Sequence, residues 1–139
     1  MVGLVTGLWK YRKIATSPTA TAPVYVDICH RAALMYSFAC LVLAEFARLS
    51  AWPMAINRIA TAGPILFFAA AIFGYAVHGV LADTDNQLAR PHRLGRRHVH
   101  PLGMSAFIYA LAAVEIGGAA VLFAGYLRTL GIASSWSGG

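Results

Sequence analysis

Five histidines are the residues of this chain best suited to chemistry, and each lies at or near the edge of a long apolar run. His30 opens the first run and His78 lies about one turn before the end of the second. His92, His98 and His100 fall between the second run and the third. A neutral imidazole in a dry helix bundle is a good axial ligand for haem iron, and two helices presenting one each can clamp a b-type haem. His30 and His78 are placed for that role; equally, polar residues at span ends bond backbone or headgroups at small cost. His98-Val99-His100 with Asp83 and Asp85 forms a second constellation, since histidine and carboxylate together suit zinc, iron or copper. Against it, the surrounding arginines repel cations, and Asp83 can instead pair with Arg90 or Arg93.

Glu115 is an anomaly of another kind. It stands near the middle of the apolar run Leu102–Leu127, where an unpaired carboxylate costs on the order of 3 kcal/mol or more. Such a group is protonated, or meets a partner or a polar cavity. It would pass protons or bind a polar headgroup such as a quinone, or else make an interhelical hydrogen bond or a docking contact with another subunit. Glu45 says less, because Arg48 follows three residues on and can pair with it on one helix face. No nucleophile–base pair, phosphate loop or paired-carboxylate arrangement points to a named reaction. Cys29 and Cys40 have no CxxC spacing, so neither a disulfide framework nor a zinc site is expected.

The elements that must hold these residues are read from composition and hydropathy. Of 139 residues, 59% are hydrophobic and only 12% charged, against about 45–50% and about 25% in ordinary soluble domains. That leaves too little polar surface for a small soluble globule, and far too much apolar sequence for disorder. A bilayer core needs roughly 20 apolar residues of helix, and three runs qualify. They predict an all-α integral membrane protein with spans over about 29–49, 59–82 and 102–127, preceded by an interfacial segment 1–28. A basic loop 83–100 and a flexible tail 131–139 complete the layout. The runs are continuous rather than alternating, which excludes barrel strands. Ser50-Ala51-Trp52-Pro53 turns the first span into the second, Pro101 opens the third, and Pro64 predicts a kink near Ala60. Ala113/Gly117, Ala70/Gly74 and Ala120/Ala124 are small-residue pairs that would let helices approach closely.

Charge sets the orientation. Lys10, Arg12, Lys13, Arg31, Arg90, Arg93, Arg96 and Arg97 fall on one side, and Arg48, Arg58 and Arg128 on the other. The excess predicts that the N-terminus and loop face the cytoplasm and the C-terminus lies outside, as in a bacterial inner membrane. The net charge of +6 is then that of one basic face, on which residues 87–99 meet anionic headgroups or an acidic partner; nucleic acid is not expected. Val2–Trp9 followed by Lys10-Tyr11-Arg12-Lys13 looks like an interfacial anchor, with no secretory signal. Three helices make a thin bundle, so a homo-oligomer or docking on a larger membrane complex is expected.

Cys29-His30-Arg31 at the opening of the first span, and Tyr75-Ala-Val-His78-Gly79-Val-Leu-Ala-Asp83 closing the second, resemble the cytochrome b membrane-anchor subunits of succinate dehydrogenase and fumarate reductase. The resemblance implies that His78 ligates haem b, and that Arg31 with Ser37 or Asp83 lies near quinone. The chain departs from that pattern at Asp27-Ile28-Cys29, where the family has a serine, and at Gly79-Val-Leu-Ala after the histidine. The expectation is therefore a small non-catalytic subunit of a membrane redox or respiratory assembly, anchoring its partners through the basic loop and able to hold haem b or quinone near His30, Arg31 and His78. The alternatives are a structural accessory that binds only lipid and protein, and a stand-alone membrane enzyme or carrier centred on Glu115.

Overall fold

A computed structural model describes residues 1–131. Four helices account for most of them: α1 (Val2–Ala15), α2 (Val24–Leu49), α3 (Met54–Leu81) and α4 (Pro101–Thr129). A hairpin of two short strands, β1 (Arg93–Leu94) and β2 (Arg97–His98), lies between α3 and α4. The last three helices are long and apolar enough to cross a membrane, which points to an integral membrane protein. Only 11% of the most apolar window of α2 and of α4, and 28% of that of α3, is buried within the chain. Most of the apolar side-chain surface thus faces outward, as expected where lipid or another protein replaces water.

Prolines set two helix starts earlier than the uncharged runs suggest. The carbonyl of Pro23 accepts from the amides of Val26 and Asp27, and that of Pro53 from Asn57. α2 therefore takes in Asp27, and α3 takes in Arg58, at turns where a charged side chain reaches the helix end. α3 continues unbroken through Pro64.

The chain forms two compact units. The first comprises Met1–Ser37 and Ala69–Ile108. Tyr25, Cys29 and Ala33 repeat every four residues along α2 and are buried, the spacing of one helix face. α1 lies on α2 through two glycines a turn apart. A Cβ on Gly3 would sit 2.8 Å from Leu34 Cδ2, and one on Gly7 would sit 3.0 Å from His30 Cε1. Lys10 Nζ meets Asp27 Oδ1 at 2.5 Å and secures the contact. Leu4, Val5 and Leu8 remain exposed.

The second unit comprises Phe38–Phe68 and 109–131 of the described residues. α4 buries Gly118, Leu122 and Gly125, positions i, i+4 and i+7 of one face. A Cβ on Gly118 would lie 2.6 Å from the carbonyl oxygen of Ala60 and 2.7 Å from Pro64 Cγ. The Ala60 carbonyl is the one whose helical donor Pro64 removes, and the bare Gly118 backbone is what lets α4 close on it. Farther along, Ala51 N–H donates to the Gly125 carbonyl at 3.1 Å and Trp52 Nε1–H to the Val121 carbonyl at 2.8 Å. The Arg128 guanidinium lies 4.4 Å over the Trp52 ring. The expected small-residue contacts are not the ones formed: Gly74 and Gly117 face open space, and Ala113, Ala120 and Ala124 are exposed.

Adjacent glycines give a direct check of this packing. Gly118→Ala is expected to lower stability in detergent by about 1–3 kcal/mol, seen as a fall in thermal midpoint. Gly117→Ala, which meets nothing within 4 Å, is expected to match or exceed the parent.

Candidate functional site

The most built polar arrangement lies in the first unit, at the end of α3. α3 closes at Leu81, and Ala82 turns left-handed (φ 47°) while its amide donates to the His78 carbonyl at 2.8 Å. This αL stop swings Asp83 back beneath the helix. Its Oδ1 accepts from His78 Nδ1 at 2.8 Å, and its Oδ2 accepts from the Gly95 amide at 2.5 Å. The side chains of His78 and Asp83 are only 7% and 6% exposed. A carboxylate so enclosed is tolerable only with partners of this kind. Burial alone would raise the Asp83 pKa, but the Gly95 N–H and the His78 imidazole more than offset this and hold the carboxyl below its ordinary 3.8.

Aromatic side chains close around the pair. The Tyr25 ring lies 5.0 Å from the His78 ring and 6.0 Å from that of Tyr75. Trp9 of α1 comes so near Gly79 that a Cβ there would sit 2.6 Å from its Cη2. Tyr25 Oη also accepts from the Gln87 amide at 2.5 Å. Buried His92 donates from Nδ1 to the Gln87 carbonyl at 3.1 Å, and its own carbonyl accepts from Val99 N at 2.9 Å. The basic loop is therefore fastened at Asp83, Tyr25 and His92, while Arg93, Arg96 and Arg97 stay mostly outside.

The other expected site residues fall as follows. His30, half-buried, directs Nδ1 at the Gly3 carbonyl, 3.1 Å away, with Thr6 Oγ1 at 3.4 Å. Arg31 pairs through Nε with Asp27 Oδ2 at 3.0 Å and lines a groove of about 340 Å³ with Met35, Tyr36 and Tyr75. Ser37 does not join it, since its hydroxyl donates to the Ala33 carbonyl on its own helix. His98 and His100 line a hollow of about 600 Å³ with Arg90 and His92. His100 Nδ1 accepts from the Leu102 amide at 3.2 Å. The structure does not gather His98, His100, Asp83 and Asp85 into a ligand set: Asp83 is committed to His78 and Gly95, and Asp85 is exposed. Among the described residues no group of three or more histidine, cysteine or carboxylate side chains could hold a metal ion. Among the described residues Asp83 forms its ion pair with His78 and not with Arg90 or Arg93. In the second unit, Glu115 Oε1 and Asn57 Oδ1 are buried with no hydrogen-bond partner among the described residues.

Comparison with protein-family models, with curated proteins and with solved structures returns no match.

Asp83→Ala is expected to free the loop, raising tryptic cleavage at Arg93, Arg96 and Arg97 about tenfold or more, as loss of two hydrogen bonds to a charge implies. The pH dependence has a fixed sign. A carboxyl whose folded pKa is depressed stabilises above its unfolded pKa and loses that contribution as pH falls through the folded value. The gap in thermal midpoint between parent and Asp83→Ala is therefore expected to be constant above about pH 5 and to shrink below about pH 4.

Proposed function

We propose that this chain is a small integral-membrane subunit of a larger membrane redox assembly, with its N-terminus and basic loop on the cytoplasmic side. The observation that carries the reading is the state of two imidazoles. His78 Nδ1 is bound to a carboxylate and His30 Nδ1 to a backbone carbonyl. Both acceptors take hydrogen bonds and give none, so Nδ1 bears the proton, and whenever the ring is neutral its lone pair lies on Nε2. That is how ligating histidines are oriented from behind, by an acceptor on the far nitrogen. These donors fit the iron of a b-type haem, which when bound supplies one-electron transfer. The chain's own part is to hold each ring in one tautomer, to keep water out with Tyr25 and Trp9, and to present the arginine-rich loop to partner subunits or anionic headgroups. Arg31, paired through Nε with Asp27 beside its groove, would turn its terminal N–H donors to a quinone carbonyl.

The outward apolar faces of α2, α3 and α4 support assembly with other membrane subunits or with further copies of the chain. The second reading, an accessory subunit that binds lipid and protein without a cofactor, draws on the same couple. His78–Asp83 by itself fastens the loop to α3 and needs no iron to do so.

A visible spectrum of the gently purified assembly, oxidised and dithionite-reduced, separates these readings. A sharp reduced α-band typical of b haem, lost on His78→Ala while the partner subunits stay associated, is the expected result. A colourless intact assembly would overturn the haem reading in favour of the accessory.

A further inference from the structure

A second site lies in the other unit, in the groove of about 950 Å³ between the facing ends of α2 and α3. Its wall is apolar, built from Ala44, Ala47, Ala62 and Ile65. Its rim carries Arg48, Trp52, Asn57 and Arg58. The two cations differ. Arg48 is spent on Glu45, with Nε and Nη2 held at 2.9 and 2.6 Å from the two carboxylate oxygens. Arg58 is exposed and, among the described residues, has no carboxylate or hydrogen-bond partner. Asn57 adds a requirement of its own. Its Nδ2 donates to the Trp52 carbonyl at 3.0 Å, which fixes the amide orientation, and its Oδ1 is buried with no donor.

We propose that this groove binds an anionic glycerophospholipid with a hydroxylated headgroup. The phosphate sits against Arg58, a headgroup hydroxyl supplies the donor that Asn57 Oδ1 lacks, and an acyl chain lies along the alanine wall. Each part follows from charge or hydrogen-bond complementarity. An uncompensated guanidinium at the end of an apolar helix calls for a fixed anion. A buried acceptor calls for a hydroxyl or amine. An outward-facing apolar trough on a spanning helix calls for a hydrocarbon chain. Trp52 at the rim is the amphipathic side chain usual at headgroup depth. The inference rests on the membrane reading alone and is independent of haem.

The test is native mass spectrometry of the delipidated full chain, offered equal phosphatidylglycerol and phosphatidylcholine. The parent is expected to retain one phosphatidylglycerol in preference to phosphatidylcholine. Arg58→Ala is expected to reduce that occupancy about fivefold, the change due to one cation at a membrane surface. Ala62→Phe, which fills the trough and leaves both arginines, is expected to reduce it as well, and Gly74→Ala, which meets nothing within 4 Å farther along α3, to leave it unchanged. Excess inorganic phosphate is not expected to displace the lipid. Equal retention of both lipids, or undiminished occupancy in both Arg58→Ala and Ala62→Phe, would overturn the proposal. Displacement by phosphate alone would show a simple anion site and overturn the lipid assignment.

Discussion

The end of α3 and the basic loop after it depend on where one carboxylate is put. Asp83 is nearly enclosed, and an enclosed charge is stable only when donors converge on it. The donors are a side chain from the last turn of α3 and a backbone amide from the tip of the β1–β2 hairpin. One group therefore ends the helix, sets the proton on His78 and anchors the basic loop 83–100, which carries four arginines. Gly95 adopts φ 60° at the hairpin turn, the left-handed region that glycine enters without strain. This brings its amide onto Asp83 Oδ2. The imidazole is a positioned group because its neighbours leave the ring a single orientation: Asp83 on Nδ1 and Tyr25 against its face.

In the second unit the governing constraint is steric. Helices in lipid gain little from hiding apolar surface from one another, so close backbone approach and polar ties supply the contact. Gly118 over the Ala60 carbonyl is such an approach between α3 and α4, and Pro64 both frees that carbonyl and fills the space beside it. The Ser50–Pro53 connection is tied to α4 by the Ala51 amide and the Trp52 indole. A Cβ at Gly125 would collide with the Ser50 hydroxyl and the Trp52 ring. A short connection and a glycine thus serve one contact, and the Trp52–Arg128 stack covers it.

The three spanning helices were legible because uninterrupted apolar runs of this length have few other uses. The start of α4 at Pro101 was legible too. Those of α2 and α3 were not, because a search for uncharged residues stops at Arg31 and Arg58, whereas these helices begin just after Pro23 and Pro53. The pairing of His78 with Asp83 was visible only as a spacing. Five residues apart is the wrong interval for one helix face, and contact needs the left-handed turn at Ala82, which alanine does not advertise. For the same reason Arg90 and Arg93 looked equally good partners for Asp83. The small-residue contacts were misplaced by one residue, since Gly117 and Gly118 are indistinguishable in sequence and only the helix rotation chooses between them. Tyr25, Trp9 and Gly95 carried no signal as site residues, because each contributes through a contact distant in sequence. The expected flexible tail beyond Gly131 lies outside the described residues.

The tautomer of His78 tests the account most directly. Nitrogen-15 spectra of the detergent-solubilised chain, labelled at histidine and assigned by comparison with His78→Gln, report which ring nitrogen bears the proton near neutral pH. Protonated Nδ1 is expected at His78 in the metal-free chain, with the neutral ring reverting to the ordinary Nε2–H form in Asp83→Ala. A His78 ring protonated on Nε2 alone in the parent would contradict it, because the carboxylate would then not be holding the imidazole.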